Sequence, residues 1–323
     1  MKKNKLIFTL SLVLTLNYVS AQISTTDNRY TNSKYFSSTQ IDSLKNVTYG
    51  TAINYLGKDQ ELKMDIYFPN NDIDSLAKRP FILLIHGGGF YGGQKEGFSY
   101  HSKELAKRGF VAATMSYRLG FDQEINGDMA KAVYRAQQDA NTALSYAAKQ
   151  AENLRIDTSW IFIGGESAGA VTSLQASYAS QSEWNQVLPQ FESMLGPLES
   201  SEDNPTQTYT IKGIYNFMGA VLPIVFTEGD LIPTISFHGE LDETVPIGKS
   251  PAGFGSRPLH EMLSKAGVCN DFTIVPEGNH GIYRSKEDVN FRINRVACFF
   301  KSLISDTCVD FLAEETIHAT CTN

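Results

Sequence analysis

The sequence predicts an α/β fold, in which helices cover both faces of a mostly parallel central sheet. Two continuous apolar runs, at residues 81–85 and 160–163, have the length and composition of strands buried on both sides. Helical patterns lie between such runs. The clearest is at residues 129–151, where apolar side chains recur at spacings of three and four. Strands that alternate with helices are typical of right-handed crossovers in a parallel sheet.

The other elements follow from the same signals. Two strands at residues 47–55 and 62–68 come first, and Pro69 ends the second of them. Further strands are expected at residues 81–85, 110–117, 160–163, 211–218, 234–238 and 272–275. Helices are expected at residues 100–108, where Gly109 is a stop signal, and at residues 129–151, 168–179 and 287–303.

These elements place one domain at residues 46–304, with shorter segments around and within it. Residues 22–45 are rich in Ser, Thr and Asn, and we interpret them as a loose N-terminal leader. The polar stretch at residues 180–209 is long for a connection between a helix and a strand, so we interpret it as a short lid insertion. Residues 305–323 form a cysteine-bearing C-terminal tail.

The N-terminal residues have the pattern of a secretory signal peptide. Residues 1–5 are basic, residues 6–16 are mostly apolar, and residues 19–21 supply small side chains for cleavage. A membrane anchor is the alternative, but the apolar run is about half of the roughly 20 residues that a spanning helix needs. We therefore expect residues 1–21 to be removed. The protein is expected to be secreted or periplasmic, with no membrane association after cleavage.

Composition excludes several function classes. The chain is 42% hydrophobic and 20% charged, which is too apolar for a disordered protein and too polar for a multi-span membrane protein. Its 28 Lys and Arg against 35 Asp and Glu give a net charge of −7, with no long basic run. Nucleic acid is therefore not expected as a partner. The oligomeric state is left open.

The cysteines are expected to form disulfides in an oxidising compartment, because their number is even. Four cysteines allow three connectivities, and the sequence does not choose firmly among them. The favoured pairs are Cys269 with Cys298 and Cys308 with Cys321, and the alternative is free buried thiols. No CxxC spacing occurs, so zinc and thioredoxin-like chemistry are not expected, and no metal or cofactor is predicted.

The motif Gly165-Glu166-Ser167-Ala168-Gly169 has the form G-x-S-x-G and lies between a predicted strand and a predicted helix. A serine on such a sharp turn needs glycine neighbours, because the chain passes close on both sides. The N-terminus of the following helix favours developing negative charge. Ser167 is therefore the candidate nucleophile. The alternative is a tight turn with an incidental serine.

A run of glycines, His86-Gly87-Gly88-Gly89, follows the predicted strand at residues 81–85. Glycines leave backbone N–H groups bare, and a tetrahedral acyl-transfer intermediate needs such donors for its oxyanion, at about 3–4 kcal/mol each. A phosphate-binding loop is disfavoured, because neither G-x-x-x-x-G-K-[ST] nor G-x-G-x-x-G fits here. A flexible turn is the other alternative, and the position at the C-terminal end of a sheet strand argues against it.

A serine nucleophile needs a base to take its proton and a carboxylate to orient that base. His280 is the candidate base, because it lies in a glycine-flanked loop after the last predicted strand. Asp242 is the candidate acid, with Glu240 and Glu243 as weaker candidates. The other histidines are interpreted as loop, packing, structural or tail residues: His86, His101, His238, His260 and His318. The order Ser167, Asp242, His280 is that of α/β-hydrolases.

Together these motifs resemble those of esterases in the α/β-hydrolase superfamily. The resemblance is carried by residues 86–90, 165–169, 238–246 and 278–281. The chain is similar to hormone-sensitive-lipase-like carboxylesterases and to the bifunctional feruloyl and acetyl-xylan esterases of carbohydrate-degrading bacteria. This resemblance implies an α/β-hydrolase fold and an oxyanion hole formed by the N–H groups of Gly88, Gly89 and Ala168.

The leading hypothesis is a secreted serine carboxylesterase that forms an acyl-enzyme on a small-molecule or polysaccharide-linked ester. Acetyl or feruloyl esters of polysaccharide are the candidate substrates. A prolyl-oligopeptidase-like peptidase is disfavoured, because fewer than 50 residues precede the first predicted strand. A catalytically inactive hydrolase fold used for binding is disfavoured, because nucleophile, acid, base and glycine loop are all present. Candidate pocket aromatics are Tyr91, Trp184, Phe191 and Phe254, with core or loop packing as the alternative.

Overall fold

The computed structural model describes residues 28–199, 208–222, 231–250, 253–282 and 284–313. Some of the predictions fall outside the described residues. They are the signal peptide at residues 1–21, residues 200–207 of the predicted lid, and residues 314–323 of the tail, which include His318 and Cys321.

Most of the described strands belong to one sheet. The strands are β1 (Ile41–Ile53), β2 (Asp59–Pro69), β3 (Arg79–Ile85), β4 (Val111–Met115), β5 (Ile156–Glu166), β6 (Ile211–Phe217), β7 (Thr234–Gly239), β8 (Lys249–Ser250), β9 (Gly253–Phe254), β10 (Asn270–Val275) and β11 (Phe311–Ala313). The sheet order is β1-β2-β4-β3-β5-β6-β7-β10-β11, and β8 with β9 forms a separate hairpin. Only the β1–β2 and β2–β4 pairs of this described sheet are antiparallel. The prediction of a mostly parallel sheet is therefore confirmed.

Helices cover both faces of this sheet. They are α1 (Ser99–Ala106), α2 (Met129–Lys149), α3 (Ala151–Leu154), α4 (Ala168–Tyr178), α5 (Gln181–Val187), α6 (Gln190–Leu195), α7 (Ser256–Lys265) and α8 (Lys286–Ile304). On one face α4 packs on β5 and α2 packs on α4, and on the other face α1 packs on β4 and α8 packs on β6. Within the described ranges, none of these helices is long and apolar enough to span a membrane.

The central strand β3 contributes to the core on both of its sides. Phe81, Leu83 and Ile85 belong to the cluster that includes α2 and α4, whereas Ile82 and Leu84 belong to the cluster that includes α1 and α8. All five side chains are buried. Successive residues of a strand point to opposite faces, so a strand with helices on both sides has no polar face. This explains the continuous apolar run in the sequence.

Residues 28–40, in the described part of the predicted leader, are anchored to the domain and are not loose, whereas residues 22–27 lie outside the described residues. β1 begins at Ile41, inside the predicted leader, and Tyr30 is fully buried. The guanidinium groups of Arg29 and Arg79 donate to the buried carboxylate of Asp74, at 2.9 and 2.7 Å. Burial alone would raise the pKa of Asp74, but the bonds and charges of the two arginines hold it below its ordinary value. A few anchoring side chains in a polar stretch leave no periodic pattern, so the sequence analysis missed them.

The described part of the predicted lid forms α5 and α6, which pack against α2. Trp184 of α5 is fully buried, and its indole N–H donates to Gln137 Oε1 at 2.7 Å. Phe191 of α6 packs against Tyr134, with ring centroids 5.7 Å apart. Residues 180–199 are therefore packed against the domain through these buried aromatic side chains. Trp184 and Phe191 are core residues and not pocket aromatics.

A disulfide joins Cys269 to Cys308, whose Cα atoms are 6.1 Å apart. The favoured pairing of Cys269 with Cys298 is therefore wrong, and so is that of Cys308 with Cys321. Cys269 immediately precedes β10, and the chain after α8 returns to this edge of the sheet, where β11 pairs in parallel with β10. Strand pairing brings the two cysteines together, and spacing along the sequence does not reveal it.

We expect the double variant Cys269→Ser/Cys308→Ser to be less stable than the unmodified protein by about 4 kcal/mol, the loop-entropy value for cysteines 39 residues apart. Guanidinium denaturation measures this difference, and Thr307→Ser is a neighbouring control that keeps both cysteines. Peptide mapping without reductant should recover a Cys269–Cys308 peptide. A Cys269–Cys298 peptide would contradict the pairing.

Candidate active site

Ser167 lies on the tight turn between β5 and α4. Its φ of 53° and ψ of −119° are sparsely populated by residues that carry a side chain. Its N–H donates to Phe217 O at 2.8 Å, and its carbonyl accepts from Val171 N–H at 2.9 Å. These two hydrogen bonds hold the serine in the strained conformation at the C-terminal end of the sheet.

Two glycines permit this turn, because β3 passes directly against it. A Cβ on Gly165 would lie 2.3 Å from Ile85 O, and one on Gly169 would lie 2.0 Å from the same oxygen. Neither position has room for a side chain. The G-x-S-x-G form therefore follows from the close approach of the ends of two neighbouring strands.

The structure brings Ser167, His280 and Asp242 together. Ser167 Oγ lies 2.8 Å from His280 Nε2, and His280 Nδ1 lies 2.6 Å from Asp242 Oδ2. The serine follows β5, the aspartate follows β7 and the histidine follows β10. The carboxyl ends of parallel strands meet at one edge of a sheet, which is why residues so distant in sequence become neighbours.

Asp242 is held in its charged form. Its side chain has no exposed surface, and Oδ1 accepts from the N–H groups of Thr244 and Val245, each at 2.9 Å. Burial alone would raise the pKa of Asp242. Hydrogen bonds from His238, His280 and the Val245 N–H outweigh that effect and hold this pKa well below its ordinary value.

The charge on Asp242 fixes the tautomer of His280. A carboxylate can only accept, so the Nδ1 facing it carries the proton and Nε2 is left with a lone pair. That lone pair faces the Ser167 hydroxyl. The arrangement can take a proton from the serine oxygen and hold the resulting imidazolium beside a negative charge.

A second histidine, His238, also contacts the acid. Its Nε2 lies 2.8 Å from Val245 O and 3.3 Å from Asp242 Oδ2, and its Nδ1 lies 2.7 Å from Ser256 Oγ. A carbonyl only accepts, so Nε2 is protonated and Nδ1 accepts from the Ser256 hydroxyl. This fully buried ring ties the Asp242 loop to α7. The sequence predicts a structural role for His238 but not its contact with Asp242, although the two residues lie only four positions apart.

The glycine loop after β3 lies beside the Ser167 turn. A Cβ on Gly87 would lie 2.9 Å from Glu166 O and 3.3 Å from Ser167 Cβ, so this glycine allows the two loops to touch. The sequence predicts oxyanion donors at Gly88 and Gly89, but it does not reveal this close contact at Gly87. Gly88 and Gly89 have φ values of 118° and 62°, which favour glycine, and they turn the chain away from the strand direction.

The backbone N–H groups that were predicted as oxyanion donors have no acceptor among the described residues. Among the described residues, no backbone or side-chain acceptor is paired with the N–H of Gly88, Gly89 or Ala168. Ala168 is the first residue of α4, where N–H groups have no partner within the helix and the helix dipole is positive. The loop itself is anchored by His86, whose ring stacks on Tyr117 with centroids 4.5 Å apart.

Arg284 links the His280 loop to the Ser167 turn, a contact that sequence analysis missed. Its guanidinium donates to Glu166 Oε1 at 2.5 Å and to His280 O at 3.3 Å. Glu166 immediately precedes Ser167, so one side chain connects the segment with the candidate base to the segment with the candidate nucleophile. The arginine is half-exposed, and its guanidinium lies 5.9 Å from the centre of the Phe217 ring.

The other candidates have different partners. Glu240, a weaker candidate for the acid, accepts from Glu277 N–H at 3.2 Å, and Glu243 is exposed. His260 contacts Asn270, and burial beside Arg292 lowers the pKa of His101 to about 3. In the part of the chain that the structure describes, no group of three His, Cys, Asp or Glu side chains could hold a metal ion.

Comparison with known proteins finds similarity to esterases over part of the chain. The BD-FAE family model, which describes bifunctional feruloyl/acetyl-xylan esterase-like proteins, matches residues 64–221, just under half of the chain. Gut esterase 1 of Caenorhabditis elegans is 30% identical over 131 residues, which cover 38% of this chain and 21% of that protein. A probable isoprenylcysteine alpha-carbonyl methylesterase of Oryza sativa subsp. japonica is 27% identical over 136 residues, 42% of this chain and 27% of that protein. The chain thus spans less than a third of the length of either relative.

The fold agrees with these similarities. Esterase 2 of Thermogutta terrifontis, solved after phosphorylation by paraoxon, superposes with a TM-score of 0.61 at 21% identity, over 84% of this chain and 96% of that chain. The sheet order and the strand–turn–helix around Ser167 thus give the chain an α/β-hydrolase fold. The proteins to which the chain is similar include esterases. The predicted fold class is confirmed.

We expect Arg284→Gln to slow the reaction of Ser167 with a fluorophosphonate probe by about tenfold or more, because the His280 loop is no longer tied to the Ser167 turn. The free energy of unfolding should change by less than about 1 kcal/mol, since the Arg284–Glu166 pair is partly exposed. Single-turnover labelling and urea denaturation measure the two effects.

Glu166→Gln and the double variant complete a mutant cycle for this pair. The double variant should react about as slowly as either single variant, because both substitutions break the same link. Additive losses would show that the pair does not act as a unit.

Proposed function

We propose that this protein is a serine carboxylesterase. The observation that carries the proposal is the hydrogen-bonded series from Ser167 Oγ to His280 Nε2 and from His280 Nδ1 to Asp242 Oδ2. Available N–H donors lie next to it on the glycine loop and at the start of α4. Similarity to esterases supports an ester as the substrate.

In the proposed reaction, Ser167 Oγ attacks the ester carbonyl while His280 Nε2 takes its proton. The carbonyl oxygen becomes an oxyanion, and the N–H groups of Gly88, Gly89 and Ala168 hold it. Collapse of this intermediate expels the alcohol, which receives the proton from His280, and leaves an acyl-enzyme. Water then attacks the acyl carbon with His280 as base, and the carboxylic acid leaves.

The proposed substrates are acetyl or feruloyl esters of polysaccharide. The match to the BD-FAE model supports this substrate class. An exposed Tyr91 next to the oxyanion loop is consistent with an alcohol component that extends beyond the reacting ester. Phe254, another candidate pocket aromatic, is partly buried, and its backbone pairs with Val221.

We also propose that the protein is exported. The N-terminal pattern supports cleavage after Ala21. The Cys269–Cys308 disulfide supports it independently, because such bonds persist mainly in oxidising compartments.

The activity is tested with the purified protein on p-nitrophenyl esters of increasing chain length, methyl ferulate and acetylated xylan. We expect turnover of short-chain esters, and we expect Ser167→Ala to reduce it by about 10⁴-fold or more with the fold retained. Circular dichroism checks the fold.

The matched control is Ser173→Ala, further along α4, because it removes a hydroxyl whose hydrogen bond, among the described residues, goes to the helix backbone at Gly169 O. This control should keep ester turnover. Turnover that survives in Ser167→Ala would reject the assignment, and a wild-type protein that a fluorophosphonate does not label would indicate a binding protein.

Export is tested by N-terminal sequencing of the protein recovered from the host that expresses the full chain. We expect the mature chain to begin at Gln22, and a Lys2→Asp/Lys3→Asp/Lys5→Asp variant to remain uncleaved because the basic region is lost. An exported chain that still begins at Met1 would reject the cleavage site.

A further inference from the structure

A large groove lies on the surface beyond the oxyanion loop. Its volume is about 1490 Å³, and it runs between the β1–β2 turn, the loop after β4, α2 and residues 194–198. Its apolar lining includes Tyr55, Leu56, Phe121, Ile125, Met194 and Leu198. The side chains of Ser167, Asp242 and His280 do not line it, so the groove is separate from the reacting centre.

Aromatic side chains lie between the oxyanion loop and this groove. The Tyr91 ring lies on the backbone of Gly89, where an added Cβ would be 2.6 Å from the ring. Tyr91 meets Phe121 edge to face, with ring centroids 6.4 Å apart, and Phe121 lines the groove. The Tyr55 ring, also in the lining, lies on Gly120, where an added Cβ would be 2.2 Å from it. Tyr91 and Phe121 therefore link a predicted oxyanion donor to the groove, and Tyr55 lies against the residue that precedes Phe121.

Phe121 packs against the hydrophobic core, but the Tyr55 and Tyr91 rings contribute little to it. Tyr91 is 64% exposed and Tyr55 is 49% exposed, so much of their surface stays in water and contributes little to folding. Ile53, Leu56 and Ile125 around them are also more than half exposed. A contiguous exposed apolar surface of this kind marks a binding groove, and flat rings suit ligands with a flat apolar face.

The charges of the groove are paired and nearly balanced. Arg118 bonds the buried Asp139, and Lys131 pairs with Asp128. The guanidinium of Arg135 donates to Gly120 O at 2.6 Å. With Lys149 the lining holds four basic side chains against three acidic ones, Asp122, Asp128 and Asp139, so it lacks the excess of positive charge that a polyanion requires. It favours a neutral ligand.

We propose that this groove binds the sugar chain of a neutral acylated polysaccharide while one of its ester groups reaches Ser167. The inference deepens the proposed function and depends on it for the reaction, but the binding step is independent of catalysis. A pyranose ring has a C–H face that packs on an aromatic ring and hydroxyl edges that bond to polar groups. The exposed Thr51 and Gln123 in the lining supply such polar groups.

The test uses Tyr55→Ala and Phe121→Ala, which lie outside the catalytic machinery. We expect kcat/KM on acetylated xylan to fall by about three- to tenfold for each variant, because each loses one ring contact. We expect kcat/KM on p-nitrophenyl acetate to stay within about twofold, because this ester is too small to reach the groove. Tyr100→Ala, a partly exposed tyrosine on α1 away from the groove, is the matched control and should leave both substrates unaffected.

A binding measurement separates this inference from the proposed function. Ser167→Ala should be retarded by soluble deacetylated xylan in a native affinity gel, and adding Tyr55→Ala should weaken the retardation. If the wild-type protein hydrolyses no ester but the retardation depends on Tyr55, the function is wrong and the groove assignment stands. Equal losses on polymer and small ester would overturn the groove assignment, as would retardation that does not depend on Tyr55. A change from dimer to monomer in Tyr55→Ala, with polymer turnover unchanged, would also overturn it and make the groove an interface between two copies.

Discussion

The contact between the β3 backbone and the turn after β5 is the constraint on which the candidate active site depends. Ile85 O lies where a side chain at Gly165 or Gly169 would have to be. This close approach allows the Ser167 turn to form, and it also places the glycine loop after β3 beside that turn. The candidate nucleophile and its proposed oxyanion donors thus follow two strands that are neighbours in the sheet. A single steric requirement between β3 and β5 positions both.

The acid and base depend on this constraint less directly. They occupy loops that are longer and less restricted than the Ser167 turn, and polar contacts hold them in place. Asp242 accepts from two backbone N–H groups and contacts two histidines. These four contacts compensate its buried charge. His280 is partly exposed and is held at its carbonyl by Arg284. In the proposed reaction the acid stays charged and in place, which suits its burial. The base exchanges protons with the substrate, which suits its partial exposure.

The parts of this protein that the sequence could predict are those in which one short segment carries the whole signal. The buried strands β3 and β5 are continuous apolar runs, α2 is strongly periodic, and the turn around Ser167 has glycines at fixed positions. Missed features needed two distant segments to meet. Arg29 belongs to a polar stretch, and its anchoring role depends on Asp74, which lies opposite it. Cys269 and Cys308 are close together because β11 pairs with β10. Trp184 was predicted to be a pocket aromatic. It is buried by α2, which lies far away in the sequence, so the local sequence around Trp184 does not show this packing.

The position of β11 has a consequence for the behaviour of the chain outside its native state. β11 is a three-residue strand at the end of the sheet, and it covers the backbone of β10. The Cys269–Cys308 bond ties it there. Without that bond β11 is held by strand pairing alone, and its release would leave the buried, six-residue β10 as the open edge, with unpaired N–H and C=O groups that another chain could match. The disulfide therefore does more than close a loop, because it keeps a buried strand from becoming a template for intermolecular pairing.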